Sequence, residues 1–169
     1  MTFALRRTAA RLLLLDPQGR VLLMRTTDPA DPGKGEWWDT PGGGIARNES
    51  TAAACLRELR EETGIAGVRI GPVVWEDDAR FTFGGWRFEQ HQHYHVGWLD
   101  DPDADRGPTA LEALEQGAFL ETRWWPADEL AAAVADGAVV LPFQLPTLLP
   151  ALVAGDLPAE PILLEETVF

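Results

Sequence analysis

The stretch GGIARNESTAAACLRELREETGI, Gly43 to Ile65, passes from a glycine-rich loop into a densely charged helix. Within it, the run RELREE carries three carboxylates in five positions. The pattern predicts a helix from about Ser50 to Thr63. Asn48 or Ser50 can cap its start, and Gly64 suits the left-handed position that ends it. Ala52, Cys55, Leu56, Leu59 and Thr63 follow the spacing of one buried stripe. Residues three and four apart share a helix face, so Glu58, Glu61 and Glu62 converge, and they are expected well away from the Leu59 stripe. Three like charges this close oppose folding unless something positive sits among them. Arg57, four residues before Glu61, can hold one of them. The others lack a partner on the helix, and Arg60 stands at spacings that do not face them. The plain reading is a solvated acidic face. The chemical one is a hard divalent cation: Mg²⁺ takes oxygen ligands and is held by one or two carboxylates plus substrate phosphates.

The wider spacing favours the second reading. It runs Gly43, five residues, Glu49, seven residues, Arg57-Glu58-Leu59, one residue, Glu61-Glu62, one residue, Gly64-Ile65. Every position matches the signature of the Nudix hydrolases, and the chain resembles that family in its MutT-like form. A chance match to the seven identities and two aliphatic positions is on the order of 10⁻⁸ per window. The lead-in Thr40 to Gly44, the hairpin before it and the later RWWPADEL extend the resemblance over roughly residues 8–136. The tail 142–169 stays unassigned.

The resemblance implies hydrolysis of a nucleoside diphosphate linked to another group, with Mg²⁺ or Mn²⁺. By position, Glu58, Glu61 and Glu62 resemble the family's metal-binding and base carboxylates, with the carbonyl of Gly43 completing a metal site. Either Glu58 or Glu61 would be the base. Arg57 would orient the carboxylates, and Glu49 and Gly64 would support the loop–helix geometry. Some members add a glutamate from outside the signature; Glu89, Glu112, Glu115 and Glu121 are the candidates here. The fold implied is an α/β (α+β) sandwich, helices on both sides of a mixed sheet, with residues 1–169 as a single domain.

Working outward, Leu12–Leu15 and Val21–Arg25 flank DPQGR as a hairpin. Glu36 to Thr40 reads as a short strand that Pro41 to Gly44 breaks. Val68–Trp75 and Arg80–Leu99 read mainly as strands. The second contains FTF-GG-WRF, a tight hairpin pairing Phe83 with Trp86 and Phe81 with Phe88. Asp100 to Gly107 is an acidic loop. Ala118–Trp125 reads as a strand, with helices over Pro126–Asp136 and Leu145–Ala154, the latter interrupted by prolines. Mixed elements of this kind suit a layered α/β domain.

Candidate substrate contacts are Arg25, which can reach a phosphate, and the aromatic residues Trp37, Trp38 and Phe83, each equally readable as core. His91, His93 and His95 alternate and so share one strand face, a possible zinc triad or a polar sheet face. Cys55 reads as a small core residue. The proline typical of ADP-ribose-cleaving members and the tyrosine of diadenosine-polyphosphate members are both missing from Arg80–Phe83. A nucleoside triphosphate or modified nucleotide is therefore the first expectation. ADP-ribose, another dinucleotide or a nucleotide sugar is the alternative.

Composition bounds these readings. The chain has 169 residues, 46% hydrophobic and 24% charged, with 14 basic against 27 acidic residues, a net charge of −13. So acidic a surface repels a phosphate backbone, and no nucleic-acid partner is expected. No stretch is long and apolar enough for a membrane span, and the leucine run before Asp16 is too short for a signal peptide. The single Cys55 suits a reducing compartment, so the chain is expected in the cytoplasm. A homodimer is expected by family analogy. Two further readings compete: a non-catalytic nucleotide sensor, and an isoprenoid-diphosphate isomerase, which would need a cysteine in its active site.

Overall fold

The computed structural model describes residues 3–101, 109–111 and 113–169. Strand β1 (Ala4–Leu15) forms the centre of the sheet. Leu12 to Leu15 are buried in succession, as a strand covered on both faces requires. Leu12 and Leu14 join Leu22, Ala54, Cys55 and Leu59 on one side, while Leu13 and Leu15 join Val21, Leu23, Leu130 and Leu149 on the other. Alternation along the strand thus feeds two cores.

Around β1 stand β2 (Val21–Thr27), β3 (Glu36–Asp39), β4 (Gly42–Gly44), β5 (Arg69–Phe83), β6 (Trp86–Trp98) and β7 (Phe119–Trp125), with the short tail strands β8 (Ile162–Leu163) and β9 (Thr167–Val168). The order is β3-β2-β1-β6-β5-β8, with β4 on β1, β7 on β2 and β9 on β5. β1 runs parallel to β6 and antiparallel to β2, so the sheet is mixed. Helix α1 (Thr51–Thr63) covers one face; α3 (Ala127–Ala135) and α4 (Leu145–Val153) cover the other. A short α2 (Ala113–Gln116) precedes β7. This is the expected α/β sandwich.

Both hairpins form as expected, with Leu15 opposite Val21, Phe83 opposite Trp86, and Phe81 opposite Phe88. Several boundaries differ. The first strand begins at Ala4, and β5 continues through Glu76–Asp78 instead of stopping at Trp75. Asp77 can lie buried mid-strand because Gln92 and Thr167 donate to its two oxygens at 2.8 Å each. Gly42–Gly44 is not a break but a strand, pairing Gly42 with Arg11 and Gly44 with Ala9.

The tail is structured too. α4 forms despite Pro150, with Leu145, Leu149 and Leu152 buried, and β8 and β9 lengthen the sheet along β5. The acidic loop expected at Asp100–Gly107 lies mostly outside the described residues.

Candidate active site

Ser50, not Asn48, caps α1: its Oγ accepts from the Ala53 amide at 3.1 Å. Gly64 ends the helix at φ 75°, its amide bonded to the Arg60 carbonyl. Cys55, Leu59 and Thr63 of the expected stripe are buried, but the buried face is turned from Leu56 toward the carboxylates. Leu56 is 36% exposed, whereas Glu58 and Glu62 are 9% and 7% exposed. The reason is β4, which lies against this helix and buries the carboxylates with its glycine backbone.

Gly42 donates its amide to Glu62 Oε2 at 3.0 Å. A methyl group on Gly43 would stand 2.7 Å from the Glu58 carboxyl. Side chain and backbone therefore approach as closely as only glycine permits. Burial pushes the Glu62 carboxyl well above its ordinary range, against the opposing pull of the Gly42 amide and Arg11.

Arg57 binds the loop to the helix. It donates to both oxygens of Glu49 (2.8 and 2.9 Å), to the Gly44 carbonyl (3.0 Å), to Glu58 (2.7 Å) and to Glu61 (3.2 Å). It thus holds three carboxylates where one was expected. The Arg57 hydrogen bonds, with the Ala46 amide, lower Glu49 to about 2. The same bonds raise Arg57 itself.

Glu58, Glu62 and Glu115 each bring a carboxylate oxygen within 4.8 Å of the other two. Of the candidates outside the signature, Glu115 is thus the one that reaches the group. Glu89 pairs with Arg6 and Glu121 with Arg25, and Glu112 lies outside the described residues. Glu61 stands half-exposed beside Arg57. A set made only of oxygen donors, two of them buried like charges, fits a hard divalent ion of the Mg²⁺ or Mn²⁺ kind.

The carboxylates open onto a cavity of about 500 Å³. Its polar floor was not foreseen. Arg11 donates to Gln92 Oε1 (2.8 Å) and pairs with Asp39 (3.5 Å), and Gln92 donates to Asp77 and the Tyr94 hydroxyl. Burial raises the carboxyls of Asp39 and Asp77. Burial also opposes the Arg11 charge, but the surrounding acidic groups outweigh it, and its pKa is raised. Trp37, Phe83 and Phe169 form an aromatic wall; the Trp37 ring centre is 6.5 Å from Phe83 and 4.9 Å from Phe169.

The structure does not bring two expected contacts here. Trp38 points to the opposite side of β3 and packs edge-on against Trp125 in the core. Arg25 is held by Glu36 and Glu121 outside the cavity lining. The three histidines do share a face, but it is the reverse one, since Gln92 and Tyr94 line the cavity.

Comparison with known proteins agrees with this geometry. The model of the NUDIX domain matches residues 5–142. The chain therefore belongs to the Nudix hydrolase family. It is 29% identical over 134 residues to an RNA pyrophosphohydrolase of Novosphingobium aromaticivorans, covering 73% of this chain and 80% of that protein. Among solved structures it resembles a MutT protein from Methanosarcina mazei Go1, with TM-score 0.59 and 18% identity over 92% of this chain and 99% of the other. An Ap4A hydrolase from C. elegans gives TM-score 0.58 and 20% identity, covering 88% and 98%. These likenesses confirm the fold. No helix among the described residues is long and apolar enough to cross a membrane.

Proposed function

We propose that this chain is a Mg²⁺- or Mn²⁺-dependent pyrophosphohydrolase acting on a nucleoside triphosphate or a modified nucleotide. The observation that supports it most is the meeting of Glu58, Glu62 and Glu115 beside the Gly43 backbone, in the lining of a cavity sized for a small ligand. A divalent ion in that oxygen cluster would neutralise the diphosphate and acidify an attacking water. The carboxylates, with the Gly43 carbonyl, would hold the ion, and Arg57 fixes the carboxylates of Glu58 and Glu61. Glu58 or Glu61, the two signature carboxylates on the helix that Arg57 holds, takes the proton from water as its oxygen bonds to phosphorus. The bridging P–O bond breaks, the phosphate or pyrophosphate leaving with that bond's electron pair. The aromatic wall of Trp37, Phe83 and Phe169 accepts the flat nucleobase, and the polar floor around Asp39 and Gln92 reads its edge.

The RNA pyrophosphohydrolase relative suggests an RNA as a second substrate class. The charge of −13 favours the free nucleotide. One panel tests both: ordinary and oxidised nucleoside triphosphates, a 5′-triphosphorylated oligonucleotide, ADP-ribose, diadenosine polyphosphates and nucleotide sugars. Phosphate and pyrophosphate release would be followed with Mg²⁺, with Mn²⁺ and with chelator. The expected result is turnover of one class that vanishes with chelator and in Glu62→Gln. Tight binding of one member without turnover would replace the hydrolase by a nucleotide sensor. In Glu58→Gln and Glu61→Gln, loss of the base lowers kcat at saturating metal, whereas loss of a ligand raises the metal concentration required. The proposal extends to a cytoplasmic homodimer, the assembly being read by light scattering.

A further inference from the structure

On the face of the sheet opposite the nucleotide cavity, β5 sets Glu76 across from His93 and Asp78 across from His91. His93 Nδ1 stands 3.0 Å from Glu76 Oε1, and His91 Nε2 stands 3.7 Å from Glu76 Oε2. The two imidazole centres are 4.8 Å apart and nearly perpendicular. One ligand atom from each of the three residues lies within 4.8 Å of the other two, and all three are half-buried. We propose that Glu76, His91 and His93 form a second metal site, distinct from the carboxylate cluster and selective for a borderline transition ion such as Zn²⁺.

The donor set carries the selectivity. Two imidazoles and one carboxylate suit Zn²⁺ and its neighbours, while Mg²⁺ prefers oxygen. Bonds of ~2.0–2.1 Å in tetrahedral array place ligand atoms roughly 3.3 Å apart. The two imidazoles stand 3.0 and 3.7 Å from the two separate oxygens of Glu76, and one ligand atom from each residue lies within 4.8 Å of the others. Asp78 Oδ1 lies 2.9 Å from His91 Nδ1. A carboxylate there keeps the proton on Nδ1 and turns the Nε2 lone pair toward Glu76, the arrangement that orients a metal-ligating histidine. His95 does not join the set: its nitrogens are engaged by Thr51 Oγ1 and the Gly71 carbonyl, both at 2.8 Å. Three ligands leave a fourth position for water. The ion would clamp β5 to β6 behind the cavity floor.

The test is titration of the full chain with Zn²⁺ against a chromophoric chelator, in excess Mg²⁺. One equivalent is expected in wild type and equally in Glu58→Gln/Glu62→Gln, which separates this site from the catalytic proposal. It disappears in His91→Ala/His93→Ala and weakens ~10–100-fold in Asp78→Asn. Zn²⁺ at about 100 times its dissociation constant raises the melting temperature by roughly 5–10 °C. Co²⁺ added to wild type gives the intense visible absorption of a tetrahedral ion, a reading that needs no variant. No bound equivalent in wild type, an equivalent that survives in the double histidine variant, or a Co²⁺ spectrum of purely octahedral type would overturn the site.

Discussion

Gly42 and Gly43 are neighbours in the cradle, yet an added methyl group should harm them in opposite ways. At Gly42 φ is 140°, and a Cβ would sit 2.2 Å from the Ala10 carbonyl oxygen of the adjacent strand. Backbone cannot yield there, so Gly42→Ala is expected to cost about 3 kcal/mol or more of stability. Gly43 has no such strain; the three atoms nearest its Cβ would all be the far end of the Glu58 side chain. That chain can swing aside, which leaves the fold intact and the carboxylate misplaced. Gly43→Ala should therefore melt within a few degrees of wild type and lose ~100-fold or more in turnover. Thermal unfolding beside a rate assay separates the two outcomes. Cys55 makes a third residue-level case. Its thiol is buried, bonded to the Arg11 carbonyl, and raised by burial to about 12. Ellman's reagent should find no thiol in the native protein and one after denaturation. A native thiol that reacts would reopen the cysteine-dependent isomerase.

At the scale of elements, the joint between β4 and α1 hangs on the Arg57–Glu49 pair. Glu49 has its pKa lowered from 4.5 to about 2. A lowered carboxyl contributes stability that is complete above its unfolded value and lost as pH falls through the folded one. The stability difference between wild type and Glu49→Gln should thus be constant above about pH 5 and shrink between about pH 4.5 and 2. Taking the difference cancels the other carboxylates that titrate in that range. A gap that stays constant down to pH 2 would mean the pair does not anchor the joint. The same joint shows what sequence could and could not reveal. The helix, its Gly64 stop and the cluster of glutamates were legible because helix periodicity and capping are local. The Cys55, Leu59 and Thr63 side was legible too, but the burial of Glu58 and Glu62 was not, because it is set by three glycines that carry no side-chain pattern. Choosing Glu115 among four glutamates needed distance, and spacing along the chain supplies none. Asp77 fell in the gap between two expected strands because the partners that let it sit buried lie 15 and 90 residues away.

Across the whole molecule, the least legible part was the tail, and it completes the cavity. Residues 162–169 add β8 and β9 along β5, and Thr167 Oγ1 donates to buried Asp77 at 2.8 Å. Phe169, paired by backbone with Arg80 and Thr82, then lays its ring against Trp37. Two-residue strands carry no readable alternation, so only the assembled sheet reveals the contact. Phe169 thus joins the aromatic wall from about a hundred residues beyond the family signature, while Trp37 and Phe83 flank that signature in the chain. If the wall binds the nucleobase, removing its ring should weaken ground-state and transition-state binding alike. An aromatic pair is worth about 0.5–1.5 kcal/mol beyond its buried area. Phe169→Ala should accordingly raise KM roughly two- to tenfold and leave kcat within about twofold. Leu163→Ala is the control, since Leu163 is exposed on β8 and does not line the cavity. It should leave both constants unchanged. An unchanged KM in Phe169→Ala would detach the tail from substrate binding, whereas a fall in kcat with unchanged KM would place its influence on the carboxylates instead.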